Sequence, residues 1–144
     1  MLVSKAFSQH EERTLARKHA LQLMYQSEIL EKTPRELIDN GQLVPETQGL
    51  GEYALMLLDG AKENLEAIDE LIESASDNWT LDRMPVVDRS LLRLTTFEMR
   101  YVDDVPVSVS INEAVNLAKE FGGDDSPRFI NGILGRIATQ LESE

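Results

Sequence analysis

Apolar residues recur along most of this 144-residue chain at the spacing of one face of an α-helix. The longest such stretch, roughly residues 48–75, has Gly60 and Asn64 in its middle, which predicts a break into two helices. Capping boxes, prolines and glycines mark the other helices. These are predicted near residues 11–31, from Thr33-Pro34 to Asn40-Gly41, from Pro85 to about Tyr101, after Ser110, and from Ser126-Pro127 onward. The chain therefore predicts an all-α fold of about seven helices in two packed layers.

One segment departs from this spacing. Residues 105–111, Val-Pro-Val-Ser-Val-Ser-Ile, alternate like a β-strand. The segment is isolated and contains proline, and a lone strand has nothing to pair with. We therefore expect residues 105–109 to lie outside any sheet. Ser110-Ile111-Asn112-Glu113 fits a capping box, which predicts that the next helix begins there.

Two further expectations concern the C-terminal helices. The helix after Pro85 is predicted to expose the stripe Arg89, Arg93, Thr96 and Arg100. Asn131-Gly132 is a dipeptide typical of hairpins, but the helical spacing around it is strong. We therefore expect Gly132 and Gly135 to allow close packing against another helix.

The composition excludes several classes of protein. The chain has no cysteine, which rules out disulfides, thiolate metal sites and a cysteine nucleophile. Its longest apolar run covers residues 53–58, whereas a membrane span needs about 18 residues. The first residues carry charge where a signal peptide would have its apolar core. We expect a single domain over residues 1–144, cytoplasmic and with no membrane partner.

The formal net charge of −12 argues against a polyanionic ligand, but its distribution weakens that argument. Residues 1–35 carry +2, residues 36–82 carry −11 and residues 83–144 carry −3. The acidic side chains are concentrated in the middle of the sequence. Both ends can therefore still present a local positive face.

The sequence contains little that resembles an enzyme. His10 and His19 are too far apart to share a helical turn, and no metalloprotease, nucleophile-elbow or phosphate-loop motif occurs. Asp124-Asp125 precedes Ser126-Pro127, so the expected role of these carboxylates is to cap the last helix. We predict no catalytic residue, no metal and no cofactor.

Nucleic-acid binding has better support. Arg13 and Arg17 lie one turn apart on the first helix, and Lys18 and Tyr25 fall on the same side, within an arc of about 120°. Arg128 and Phe129 occupy the first turn of the last helix, whose open N–H groups bind phosphate readily. Cations with aromatic rings are what single-stranded RNA requires. The alternative is a solvated face with both aromatic rings in the core, where Phe129 fits a 129, 133, 137 stripe.

Several segments of the sequence resemble those of a known protein family. Residues 78–94, Asn-Trp-Thr-Leu-Asp-Arg-Met-Pro-Val-Val-Asp-Arg-Ser-Leu-Leu-Arg-Leu, resemble the central signature of the NusB family of bacterial transcription antitermination factors. Similar runs occur across the chain, namely Ala20-Leu21-Gln22, Tyr25-Gln26, Phe97-Glu98-Met99, Val105-Pro106, Ile111-Asn112-Glu113-Ala114-Val115, Leu117-Ala118-Lys119, Phe121-Gly122 and Asp125-Ser126 with Phe129-Ile130-Asn131-Gly132-Ile133-Leu134.

The resemblance implies an all-α fold of two three-helix bundles, in which residues 105–110 form a turn leading into a helix. It implies binding of boxA, a short single-stranded sequence in nascent RNA, together with NusE, a small-subunit ribosomal protein. The heterodimer would help RNA polymerase resist termination within an antitermination complex and support ribosomal RNA synthesis. No catalysis and no cofactor are implied.

The resemblance also assigns site residues. Arg17, Tyr25, Asp125, Arg128 and Phe129 match the RNA face of the family, and Asp88 matches part of its NusE face. Arg13, Lys18 and Lys119 are added here as phosphate-contacting cations. The family often has an arginine-dense N-terminus, whereas Glu11-Glu12 precede Arg13 here, which predicts weaker RNA binding and a smaller salt dependence. The alternative function is a protein-interaction scaffold that docks through the acidic residues 36–82.

Overall fold

The computed structural model describes residues 8–77 and 79–144, except for the side chain of Glu46. Asn78, the first residue of the signature, lies outside the described residues. The described residues form seven α-helices and no strand, which confirms the predicted all-α fold. The helices are α1 (Gln9–Leu30), α2 (Pro34–Asp39), α3 (Glu52–Glu63), α4 (Leu65–Ala75), α5 (Val86–Tyr101), α6 (Val107–Phe121) and α7 (Ser126–Glu142), with short 3-10 turns at Pro45–Thr47 and Leu81–Arg83.

The chain divides into two compact units, Met1–Leu58 and Asp59–Glu144. The first unit contains α1, α2 and the start of α3. Its helix ends follow the sequence signals: Thr33 and Glu36 form the predicted capping box, in which the Glu36 N–H donates to Thr33 Oγ1 at 3.1 Å and the Thr33 N–H donates to Glu36 Oε1 at 2.8 Å. Gly41 follows α2 with φ of 66°, a conformation that glycine adopts without steric cost.

The predicted break in the long apolar stretch occurs at Asn64, between α3 and α4. The Asn64 side-chain amide donates to the carbonyl oxygen of Gly60 at 2.9 Å, and the Asn64 backbone N–H donates to the same oxygen at 3.1 Å. Gly60 itself stays helical. A Cβ atom at this position would lie 2.1 Å from Cζ of Phe97, so Gly60 allows α3 to approach α5 closely.

Helix α5 is the central element of the second unit, where it packs against α4, α6 and α7. Ten of its sixteen residues are buried. The prediction of an exposed stripe is wrong at Thr96, which is 0% exposed, because a helix covered by three neighbours has no broad solvent face. Arg93 is partly buried and forms a two-pronged ion pair with Asp69 of α4, at 2.9 and 3.0 Å.

Residues 105–109 lie outside any sheet, as predicted, and α6 begins at Val107. The predicted capping box at Ser110 is wrong. Pro106 occupies the N-cap and starts the helix earlier, so Ser110 falls inside α6. Its buried hydroxyl donates to Glu98 Oε1 of α5 at 2.7 Å, and Glu113 is buried as well. Ser110 therefore links α6 to α5 instead of capping a helix.

The prediction for Gly132 and Gly135 is also wrong. A Cβ atom on Gly132 would contact only the Arg136 side chain, at 3.7 Å, and one on Gly135 would have nothing within 4 Å. Both glycines are partly exposed, so neither is needed for close packing against another helix. The crowded glycine next to α7 is Gly122, since its Cβ would lie 2.6 Å from the Ser126 side chain. It keeps the connection between α6 and α7 short.

Candidate nucleic-acid interface

In the first unit, two predicted cations gather on one aromatic ring. The guanidinium carbon of Arg13 lies 4.6 Å from the centroid of the Tyr53 ring, and that of Arg17 lies 5.7 Å from it. Both distances are those of cation–π contacts. Arg13 is half-buried and Arg17 is only 7% exposed. Tyr53 was not predicted as a site residue; its aromatic ring at the head of the apolar run 53–58 is the signal that could have found it.

The other two predicted residues of α1 lie nearer its C-terminal end. Lys18 is half-buried, whereas the Tyr25 side chain is 45% exposed. The alternative interpretation of Tyr25 as a core residue is therefore wrong. An exposed ring of this kind is available for stacking on an unpaired base.

A cavity of about 550 Å³ opens beside the Arg13–Tyr53 contact. Its lining includes Glu12, Arg13, His19, Glu52 and Tyr53. Burial and the neighbouring Lys18 both lower the pKa of His19, which disfavours a positive charge on the imidazole. Because two carboxylates line the same space, this cavity carries mixed charge.

In the second unit, the connection before α7 has a different capping arrangement from the one predicted. Asp125 occupies the N-cap position, as expected, but its side chain makes no capping hydrogen bond. Ser126 organises this turn instead: its hydroxyl accepts from the Gly123 N–H at 3.0 Å and donates to Asp88 Oδ1 at 2.7 Å. The exposed Asp125 carboxylate is thus not used as a cap.

Asp88, the predicted partner-binding residue, is 4% exposed. Burial raises the pKa of its carboxyl group, and the hydrogen bond from Ser126 partly counteracts that rise. The structure thus places Asp88 where it fixes the start of α7. Lys119, in contrast, is exposed near the end of α6.

Three of the predicted RNA residues meet at one cavity of about 550 Å³ in the second unit. Asp125, Arg128 and Phe129 line it, together with Trp79 and Arg136. The Trp79 and Phe129 rings lie 6.0 Å apart between centroids and are inclined by 58°. Phe129 is half-buried, so its ring contributes to packing and still borders the cavity.

Trp79 and Arg136 were not predicted as site residues. Trp79 is part of the signature and is 51% exposed, which is unusual for so large an apolar side chain. Arg136 lies seven residues after Phe129, a spacing that places two side chains on the same face of a helix. That spacing is the signal that could have identified Arg136.

The described residues contain no group of three or more histidine, cysteine, aspartate or glutamate side chains that could hold a metal ion. Within residues 8–77 and 79–144, no helix is both long and apolar enough to cross a bilayer. What the structure does present is an all-α scaffold in which arginines pack on an aromatic ring in the first unit and share a cavity lining with aromatic rings in the second. These features define the class of a helical binding protein with cation–aromatic surfaces.

A sequence model described as the NusB family matches residues 14–139, and the chain belongs to this family of transcription antitermination proteins. It is 45% identical over 130 residues to the transcription antitermination protein NusB of Salinispora arenicola, a match that covers 88% of this chain and 94% of that protein. It is 44% identical over 134 residues to the protein of the same name from Desulfotalea psychrophila, covering 88% and 95%.

Solved structures give the same result. The chain superposes on T. maritima NusB with a TM-score of 0.76 and 34% identity. The match covers 89% of this chain and 91% of that one. The chain also superposes on a chain of the crystal structure of antitermination factors NusB and NusE in complex with dsRNA, with a TM-score of 0.73 and 26% identity, covering 90% and 97%.

Proposed function

We propose that this chain binds the single-stranded boxA element of nascent RNA together with NusE, and that the pair acts in the cytoplasm within the RNA polymerase antitermination complex to support ribosomal RNA synthesis. The observation that carries the proposal is the cavity at the start of α7, where Arg128 and Phe129 lie beside a carboxylate that caps nothing. The solved relative in complex with NusE and RNA supports the same partnership.

The chemistry of this turn suits RNA. The exposed Arg128 and the positive end of the dipole of the 17-residue helix α7 favour a phosphate. Phe129 borders the cavity with its ring, which gives an unpaired base a surface to stack on. Asp125 can accept from a base amino group, a contact that reads sequence instead of only adding affinity.

Helix α1 of the first unit supplies cations and an aromatic ring of its own for RNA. Arg13 and Lys18 are half-buried and contact phosphates in this proposal, while exposed Lys119 adds a charge from α6. Arg17 is buried against Tyr53. In this proposal it acts through its electrostatic potential and by holding the Tyr53 ring beside Arg13. The exposed Tyr25 ring supplies a second stacking surface.

NusE is proposed to raise the RNA affinity. The net charge of −12 weakens the attraction of RNA to the isolated chain, and a basic partner would extend the positive surface. Asp88 remains the predicted NusE residue. Because its carboxylate is buried against Ser126, it acts by fixing the first turn of α7, which a partner then meets.

Asp125 provides the sharpest test. Fluorescence anisotropy would follow a labelled boxA-like RNA and single-base variants of it, with and without NusE and at two salt concentrations. We expect tight binding only with NusE. Asp125→Asn should change the ranking of the RNA variants while helix content stays constant, because its side chain makes no capping bond. An unchanged ranking would return Asp125 to a structural role, and equal affinity without NusE would contradict the partnership.

A protein-interaction scaffold is the second candidate function. It is favoured by one observation, the charge of −11 over residues 36–82, which repels RNA and suits a basic protein partner. In that case NusE would bind the chain with strong salt dependence, and addition of this chain would leave the RNA affinity of NusE unchanged. The same anisotropy titration therefore separates the two candidates.

A further inference from the structure

The cavity at the start of α7 contains a residue pair that the proposed function does not use. Trp79 is half-exposed beside Phe129, and Arg136 lies in the same lining. Within the part of the chain that the structure describes, Trp79 is the large apolar residue with the second highest exposure, after Ile29. An exposed indole in the lining of a cavity that also holds arginines is a surface for a flat aromatic ligand with polar edges.

We propose that this cavity is a pocket for one unpaired base that carries an exocyclic amino group, that the base stacks on Trp79, and that Arg136 binds its acceptor edge. This inference rests on the proposed function, because it names the part of the RNA that the site takes. It assigns roles to Trp79, Arg136 and Gly132.

The ring geometry decides how a base can enter. The Trp79 and Phe129 rings are inclined by 58°, so one flat base cannot lie parallel to both. The indole is the larger and more exposed ring, whereas Phe129 is half-buried. The base therefore stacks on Trp79, and Phe129 packs against its edge, in the tilted arrangement that aromatic groups favour.

The charges of the lining select a base over a phosphate. Arg128 and Arg136 are matched by Asp77 and Asp125 around the same space. Inside the cavity a phosphate would meet both carboxylates, whereas the RNA backbone can reach the exposed Arg128 from solvent, so the cavity itself suits a base. A base with both an amino donor and ring acceptors pairs with both kinds of group. Uracil has no exocyclic amino group, so adenine, cytosine and guanine suit the cavity better.

Arg136 is held in place before any ligand arrives. One of its terminal nitrogens donates to the backbone carbonyl of Ala75 and lies 3.5 Å from Asp77 Oδ2. A guanidinium carries several N–H donors in a rigid fork, so donors remain for a base acceptor after these contacts. A positioned donor loses less conformational entropy on binding than a mobile one.

Gly132 lines the cavity and, having no side chain, leaves space in it. A Cβ atom there would meet only the Arg136 side chain, at 3.7 Å, so the helix itself tolerates a side chain at this position. Gly135, one turn along the same helix, does not line the cavity, and a Cβ atom there would have nothing within 4 Å. The two glycines therefore form a matched pair for testing whether the space is used.

The test uses the single tryptophan of the sequence, Trp79, as a reporter. The complex of the full chain with a tryptophan-free NusE variant is titrated with boxA-like RNA, and indole fluorescence is recorded beside the anisotropy of labelled RNA. Stacking on the indole should quench its fluorescence with the same midpoint as RNA binding. Replacing the bases one by one with abasic sites should identify one position whose loss removes the quenching and weakens binding about 5- to 150-fold.

Substitutions then locate the pocket. Gly132→Gln should remove the quenching and the sensitivity to that one abasic position, whereas Gly135→Gln should leave both unchanged. Trp79→Ala should weaken binding of intact RNA and leave binding of the abasic RNA unaffected, while Trp79→Phe should retain part of the preference. Uracil at the identified position should bind more weakly than the amino-bearing bases.

The outcomes separate this inference from the proposed function. RNA binding without quenching, or binding that Gly132→Gln leaves unchanged, would overturn the base pocket and leave the proposed function standing. Quenching by NusE alone would show that a protein covers Trp79, which also overturns it. Absence of RNA binding even with NusE would overturn both.

Discussion

The substitution Gly60→Ala probes the close approach of α3 to α5. A Cβ atom at residue 60 would lie 2.1, 2.3 and 2.7 Å from three atoms of the Phe97 ring, where ordinary contact begins at 3.4 Å. The ring would have to move by more than 1 Å to relieve the closest of these contacts. It has little room, because Phe97 is buried and stacks on Tyr101 with centroids 5.2 Å apart.

Two opposing effects set the expected change in the free energy of unfolding. Forcing a methyl group into a packed site costs about 1–3 kcal/mol, and the short distance places Gly60→Ala toward the upper end of that range. Alanine in place of glycine inside a helix returns about 1 kcal/mol. The free energy of unfolding should therefore fall by about 1–2 kcal/mol, which lowers Tm by roughly 2–8 °C for a chain of this size.

Circular dichroism during thermal and urea unfolding measures this change. Gly135→Ala is the matched control, because its Cβ meets nothing within 4 Å and should stabilise the protein slightly. In the Gly60→Ala background, Phe97→Leu should lower the free energy of unfolding by less than it does in the wild type. The coupling energy of this double-mutant cycle should be at least about 0.5 kcal/mol. If Gly60→Ala were as stable as Gly135→Ala, steric contact with Phe97 would not explain this glycine.

Two further predictions concern charge. Burial raises the pKa of Asp88, so the folded state keeps this proton to higher pH than the unfolded state, and stability should fall as pH rises from the ordinary aspartate pKa through the raised one. Asp88→Asn keeps an oxygen acceptor for Ser126 and should flatten that slope in urea midpoints measured against pH; an unchanged slope would assign it to another group. Arg13→Ala should reduce the salt slope of RNA binding by up to about 0.7, the single-strand value for one phosphate contact, and an equal slope would exclude such a contact.

Local sequence signals predict the helices of this chain well. Pro34, Pro85 and Pro127 all lie at or beside helix starts, and Asn64 marks the break between α3 and α4. These signals work because proline geometry and capping act within one turn. Ser110 shows where they stop working. Its capping pattern is local, but its hydroxyl hydrogen-bonds to Glu98, a residue of another helix that spacing along the chain cannot place.

The candidate site shows the same division. Asp125, Arg128 and Phe129 were predicted together because they are neighbours in sequence, and they line one cavity. Trp79 lies fifty residues before Phe129, so only the folded second unit brings the two rings together. The glycines show the same limit. Gly60 and Gly132 both lie inside helices, and the sequence does not show that only Gly60 packs closely against a residue of another helix.

The burial of α5 has a consequence for hydrogen exchange. A helix with ten of sixteen residues buried and three helical neighbours cannot open its backbone hydrogen bonds without dismantling the second unit. Its amide hydrogens should therefore exchange only through unfolding of that unit. Any ligand that binds the folded unit alone lowers the unfolded population, so it slows these amides in proportion to its saturation. The exchange rates of α5 thus report occupancy at α7, even for a ligand that never touches α5.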